Sequence, residues 1–155
     1  MSLLPGLLLF SVAIAGTTAA PSRGYGDDIK WVTLDEAFRQ AIDEQKPIFY
    51  LIHDSSCSAC IKLKQKLSEA PEREDIVNLS REFVMVNMEN SEVLKDDLPE
   101  YRPDGRYTPR ILFLYPDGTL MTDVTNRKRS KYYSYYYDYP EDILEGMQKA
   151  LSMMG

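Results

Sequence analysis

Cysteine is scarce in this sequence: its 155 residues include only two, Cys57 and Cys60, three positions apart. A disulfide-stapled scaffold needs several bridges across long loops, so that class is excluded. Histidine is scarcer still, with His53 alone. Tetrahedral zinc takes four ligands, and this chain would have to complete the set with a carboxylate, an unusual combination. An excess of positive charge is also missing. Lys plus Arg number 18 against 24 Asp plus Glu, a net charge of −6. Nucleic-acid affinity is built from clustered cations, so no nucleic-acid partner is expected. No repeat of roughly 20 to 50 residues recurs, which removes the solenoids. No apolar run reaches the about 20 residues that a transmembrane helix requires.

The remaining composition, 44% hydrophobic and 27% charged, suits one globular domain. Residues 1–19 carry no charged side chain, and Leu3, Leu4 and residues 7–15 form an apolar stretch followed by Gly16, Thr17, Thr18, Ala19 and Ala20. This is the layout of a cleaved secretory signal. Cleavage is expected after Ala19, because cleavage one residue later would leave Pro21 in first position. The expected division is a signal peptide at 1–19, a flexible lead-in at 20–30 and one domain at 31–155. After cleavage the protein is expected to be soluble, free of the membrane and in an oxidising compartment.

Thr33 with Glu36 three residues on predicts a capping box, and Leu34, Phe38, Ala41 and Ile42 recur at helical spacing. Lys46-Pro47 ends that helix. Residues 48–52 form a continuous apolar run, as expected of a parallel strand covered on both faces. Ser55 or Ser56 is the expected cap of the next helix, which holds Cys57, Cys60, Leu63 and Leu67 and stops at Pro71. A short helix over 72–81 leads to a strand at 83–86. A third strand is expected at 110–115, a turn at Pro116-Asp117-Gly118 and a returning fourth strand at 119–124. Pro140 opens a last helix running to about residue 153. The fold class is therefore α/β: a central mixed β-sheet with helices on both faces, in the element order of the thioredoxin fold.

Cys57-Ser58-Ala59-Cys60 falls where the first strand gives way to a helix. A bridge closing so small a loop adds little stability, so chemistry is the better reason for it. At a helix N-terminus, unpaired N–H groups and the helix dipole stabilise a thiolate. Lowering the Cys57 pKa from about 8.5 to about 7 would raise its attack rate only about threefold, because nucleophilicity falls with basicity. The larger gain is a better leaving group when a mixed disulfide is resolved. Cys60, one turn further in, is the expected resolving thiol. No cofactor is required.

His53-Asp54-Ser55-Ser56-Cys57-Ser58-Ala59-Cys60, then Phe83-Val84-Met85-Val86-Asn87, then Pro109-Arg110-Ile111-Leu112-Phe113-Leu114 together resemble one branch of the thioredoxin superfamily. It is the branch of the anterior gradient proteins and the thioredoxin domain-containing protein 12-like thiol oxidoreductases of the endoplasmic reticulum. The resemblance runs from about Trp31 to Met147. It implies a lumenal protein-disulfide oxidoreductase with Cys57 as nucleophile, Cys60 as resolving thiol, a redox-active disulfide between them, and a substrate groove at Thr108, Ser56 and a cis Pro109.

Three departures stand out. Ser56 occupies the place where relatives commonly carry Trp, so a hydrophobic lip of the groove is missing. Leu51 stands where thioredoxin and the disulfide isomerases bury an acid six residues before the first cysteine. His53 is either a substitute proton acceptor for Cys60 or a strand-end histidine facing solvent. The chain ends Ser152-Met153-Met154-Gly155 rather than in a retrieval tetrapeptide, so lumenal residence with leakage into the medium is expected.

Six of the eight residues 132–139 are Tyr, following Arg127-Lys128-Arg129-Ser130-Lys131. They either pack over a sheet edge or form a partner-binding surface. Asn78-Leu79-Ser80 is a glycosylation sequon with Asn78 as acceptor. Two classes of function follow: dithiol–disulfide exchange on client proteins that bear cysteines or disulfides, and a non-catalytic module that holds clients or partners in the same groove. Two cysteines favour the enzyme.

Overall fold

The computed structural model describes residues 19–93 and 99–155; the expected signal peptide lies outside them except for Ala19. In chain order the elements are α1 (Leu34–Glu44), β1 (Ile48–His53), α2 (Ser58–Glu69), α3 (Arg73–Ser80), β2 (Val84–Glu89), β3 (Arg110–Leu114) and α4 (Pro140–Ser152). A single 3-10 turn, Pro99–Tyr101, precedes β3. The strands order β2-β1-β3, with β1 central, parallel to β2 and antiparallel to β3.

The apolar run of β1 is explained by its two faces. Phe49 and Leu51 join Met85, Ile111 and Phe113 under α2, α3 and α4. Ile48, Tyr50 and Ile52 join Val84, Val86, Leu112 and Leu114 under α1. Side chains alternate across a strand, so a strand covered twice must be apolar at every position. Phe113, completely buried, meets Phe49, Phe83 and Tyr137 edge-on. Gly146 lets α4 approach closely, because a Cβ there would stand 3.0 Å from the Phe113 ring. Thr33 caps α1 as expected, its hydroxyl accepting from the Glu36 N–H at 3.4 Å.

Two expectations fail. Residues 20–30 are not a loose lead-in: Tyr25 and Ile29 are buried in the core, and the Ala20 N–H donates to the Trp31 carbonyl at 3.0 Å. The Asn87 amide also donates to the Pro21 carbonyl at 3.0 Å, binding the segment to β2. The fourth strand is reduced to one bridge, Leu114 to Leu120. After Met121 the chain turns, Val124 N–H donating to the Met121 carbonyl, and both side chains drop into the core. A pair of buried residues three apart rewards a turn more than a continued strand. The outer side of β3 is met at its other end by the Tyr-rich segment: Arg110 bridges Tyr136, and the Ile111 N–H donates to the Tyr135 carbonyl.

The packing reading of the tyrosines therefore holds for Tyr135 and Tyr137, both buried. Tyr132 is 81% exposed, and Tyr133 and Tyr139 are also open to solvent. Among the described residues no helix is long and apolar enough to cross a membrane.

Candidate active site

The turn between β1 and α2 is built by Asp54. Its carboxylate accepts from the Ser56 N–H at 2.9 Å and the Ser56 hydroxyl at 2.6 Å, and its carbonyl accepts from the Cys57 N–H. Neither Ser55 nor Ser56 caps α2. Ser56 is occupied by the turn, so the helix starts at Ser58 and Cys57 is its N-cap, with Sγ accepting from the Cys60 N–H at 3.2 Å. The nucleophile candidate thus takes the place normally held by a capping oxygen.

Both cysteines are free thiols. Cys57 is half-buried; Cys60, on the inner face of α2, is 0% exposed. Burial works against the Cys57 thiolate, but hydrogen bonds from Cys60, from Thr108 and from the Cys60 and Ala59 backbone outweigh it and hold the pKa below the usual thiol value. Burial, reinforced by the neighbouring Cys57, pushes Cys60 up to about 12. Two thiols one helical turn apart are therefore driven in opposite directions, which separates their chemical roles.

Thr108 and Pro109 arrive from the other side. The Thr108–Pro109 bond is cis, as expected, and the Thr108 carbonyl lies 3.6 Å from Cys57 Sγ. Pro109 is buried at the entrance to β3. Cys57, Ser56, Thr108 and Pro109 thus belong to one end of the sheet, with Ser56 exposed beside the thiol.

Leu51 is a core residue, and no acid takes its place. His53 does not face solvent; it is 1% exposed. Its Nδ1 lies 3.2 Å from Glu89 Oε2, and its ring is 4.9 Å from that of Tyr25. Desolvation lowers its pKa below the usual value, against the pull of the Glu89 carboxylate. Asn78 is exposed on α3, while the Ser80 hydroxyl of the same sequon is buried and donates to the Val77 carbonyl at 2.6 Å. It is not part of the dithiol site. Among the described residues no group of three or more His, Cys, Asp or Glu side chains is arranged to hold a metal ion.

Glu89 and Tyr25 carry no signal in the sequence for a place near this turn, and Tyr136 is marked there only as one of the Tyr-rich run. Glu89 follows from the parallel register, which pairs it with His53 across β1 and β2. Tyr25 lies in a Gly- and Asp-rich segment without periodicity, so nothing in the sequence marks it as core. Tyr136 reaches the site by bridging Arg110, and the charges of Cys57 and Cys60 add to the burial that raises its pKa.

A family model described as Thioredoxin-like matches residues 30–116, a stretch that spans the dithiol, the cis proline and all three strands. The solution structure of a thioredoxin from Thermus thermophilus superposes with a TM-score of 0.60 at 16% identity, covering 83% of this chain and 91% of that one. Anterior gradient protein 3 from Xenopus tropicalis is 34% identical over 137 residues, 86% of this chain and 78% of that protein. The Anterior gradient protein 2 homolog from Homo sapiens is 31% identical over 134 residues, 86% of this chain and 73% of its own length. With a family model over more than half of the chain and relatives above 30% identity across 86% of it, the chain belongs to the anterior gradient family, within the thioredoxin-like proteins.

Proposed function

We propose that this protein is a thiol-disulfide oxidoreductase that acts on client proteins in the secretory pathway through Cys57 and Cys60. The observation that carries the reading is the asymmetry of the pair: an accessible thiol with a lowered pKa at a helix start, and a buried thiol with a pKa of about 12 one turn inside. In the reducing direction the Cys57 thiolate attacks a client disulfide. A Cys57–client disulfide forms, and one client sulfur leaves as thiolate. Cys60, after losing its proton, attacks Cys57 Sγ and closes the Cys57–Cys60 disulfide. The second client sulfur leaves, so two electrons have passed from the protein to the client. Oxidation of a client runs the same steps backwards.

Ser56, Thr108 and Pro109 line the approach to Cys57. The Thr108 carbonyl beside Sγ is an acceptor that an extended client backbone can use. We place the protein in the endoplasmic-reticulum lumen, with secretion as the alternative, on the strength of the leader sequence and the family. In that compartment Asn78 is exposed and open to glycosylation.

Titrating the purified domain against glutathione buffers, with the disulfide state read by mass spectrometry, tests the reading. A reversible Cys57–Cys60 couple supports it. A pair that never cycles, on a protein that still retains clients, would leave the non-catalytic binding module. The exposed Tyr132, Tyr133 and Tyr139 favour that second reading.

A further inference from the structure

The loop that brings Thr108 to Cys57 spans residues 99–109 and has one 3-10 turn as its regular structure, so tertiary contacts must fix its place. Those contacts converge on Tyr107, the residue before Thr108. Its carbonyl accepts from Nη1 of the buried Arg110 at 2.8 Å. Its hydroxyl accepts from the Tyr135 N–H at 3.0 Å and donates to Asp104 Oδ1 at 2.6 Å. The second oxygen of Asp104 accepts from the Ser134 N–H at 2.5 Å. Two loop side chains thus serve the backbone of the Tyr-rich segment. Ser134 and Tyr135 are both buried, and a buried N–H needs an acceptor. Their carbonyls are engaged already, by the N–H groups of Asn126 and Ile111. The far side of this arrangement is anchored twice. β3 holds Tyr135 through the Ile111 N–H, and the Asn126 amide joins the Tyr136 carbonyl to the buried Asp142 of α4.

We infer that Tyr107 and Asp104 form a latch that positions Thr108 against Cys57 and so gives the dithiol its hold on an extended client backbone. The inference rests on the dithiol reading above. The Thr108 carbonyl stands 3.6 Å from Cys57 Sγ, and it can receive a client N–H beside the attacked disulfide only while it keeps that place. Tyr107 is joined to Thr108 by the chain, so a displaced Tyr107 carries the acceptor away from the sulfur. The Tyr107 ring also packs 4.7 Å from Tyr133 and 6.4 Å from Tyr136, but ring contacts tolerate sliding where hydrogen bonds fix direction. Burial and the Asp104 carboxylate push the Tyr107 pKa up, so its hydroxyl stays protonated and able to donate. Tyr107 touches no reacting atom and is a positioning residue. A displacement of about 1 Å at such a contact can cost up to about a hundredfold in rate.

Two disulfides with one leaving group separate positioning from general reactivity. The first joins 2-nitro-5-thiobenzoate to the cysteine of a short unstructured peptide; the second joins it to 2-mercaptoethanol, which has no backbone. In each, Cys57 Sγ bonds to the probe sulfur, the probe S–S bond breaks, and the nitrothiobenzoate leaves as a coloured thiolate read by stopped flow. The reduced parent protein is expected to react faster with the peptide. Tyr107→Phe, which keeps the ring, and Asp104→Ala are each expected to lower the peptide rate constant about tenfold, while the small disulfide changes at most about twofold. A merely structural defect would slow both reactions alike. Equal losses with the two probes, a peptide-to-small ratio equal to the parent's, or a parent without preference for the peptide overturns the latch. Asp104→Ala decides the matter where Tyr107→Phe fails to fold. A parent that reacts with neither disulfide would instead overturn the dithiol reading itself.

Discussion

The carbonyl oxygen of Thr108 and the sulfur of Cys57 face each other across 3.6 Å, joining the start of α2 to the entrance of β3. Together with the Cys60 N–H at 3.2 Å, this gives the sulfur partners on two elements. The protonated thiol donates to the Thr108 carbonyl, whereas a thiolate there is favoured by the Cys60 N–H and by the nearby Thr108 side chain. Thr108→Val removes that hydroxyl and keeps the branched shape. We expect the Cys57 thiolate to become less favourable and its alkylation at pH 7 to slow roughly threefold. Ultraviolet titration of the thiolate would show its midpoint moving up; a midpoint that stays or falls would contradict the assignment.

The two thiols should differ more from each other than either does from a free cysteine, because their pKa values move in opposite directions. With a pKa of about 12, Cys60 is almost wholly protonated at pH 7, and it is buried as well. Brief iodoacetamide treatment of the reduced protein should label Cys57 at least about a hundredfold faster than Cys60. Peptide mass spectrometry decides it, and preferential labelling of Cys60 would reverse the two roles.

The same asymmetry predicts what each cysteine substitution does to captured clients. Cys60→Ser keeps the attacking thiol and removes the group that expels the client, so mixed disulfides should accumulate on non-reducing gels. Cys57→Ser should trap almost none. Equal trapping by both variants would count against the mechanism.

Much of this site was legible because its parts are local. The capping of α1 by Thr33, the doubly covered β1 run and the position of Cys57-Ser58-Ala59-Cys60 at a strand-to-helix turn all follow from spacing along a few residues. The parts that escaped depend on distant pairing. Tyr25 is buried only because α2 and β2 offer it a place, and Glu89 meets His53 only in the parallel register. The expected strand after Gly118 had the right residues for pairing, but burial of Met121 and Val124 three apart selected a turn. The cap of α2 departs from expectation for a physical reason, since Asp54 claims the Ser56 hydroxyl and Cys57 takes the N-cap position.

Burial of His53 has a consequence for stability with pH. Its folded pKa lies below the ordinary 6.5, so the unfolded chain binds this proton more readily. Its contribution is therefore fully present above about pH 6.5 and is lost as pH falls from there through the folded value. Urea midpoints measured from pH 7.5 down to pH 5 should decline, and His53→Gln should flatten that decline. A parent midpoint that rises on acidification would contradict it.

Asp142 supplies the last test, because it ties the Tyr-rich segment to α4. Its carboxylate is fully buried and accepts from Arg129 Nε at 2.6 Å, Lys128 Nζ at 2.9 Å and the Asn126 amide at 3.2 Å. The same amide also donates to the Tyr136 carbonyl at 3.0 Å, so the network reaches the residue that bridges Arg110 beside the cis proline. Burial alone would raise the Asp142 pKa, but Arg129, Lys128 and Asn126 prevail and hold it below the ordinary 3.8. Asp142→Asn leaves two solvent-exposed cations without their shared anion and weakens the hydrogen bonds that it accepts, and we expect a loss of roughly 1–2 kcal/mol at pH 7 in denaturant unfolding. The sign with pH follows from the lowered value. The carboxylate's contribution is present above about pH 3.8 and disappears as pH falls through the folded pKa, so parent and variant should converge in acid. A gap that persists undiminished at pH 2 would mean that the carboxylate charge is not what holds the segment.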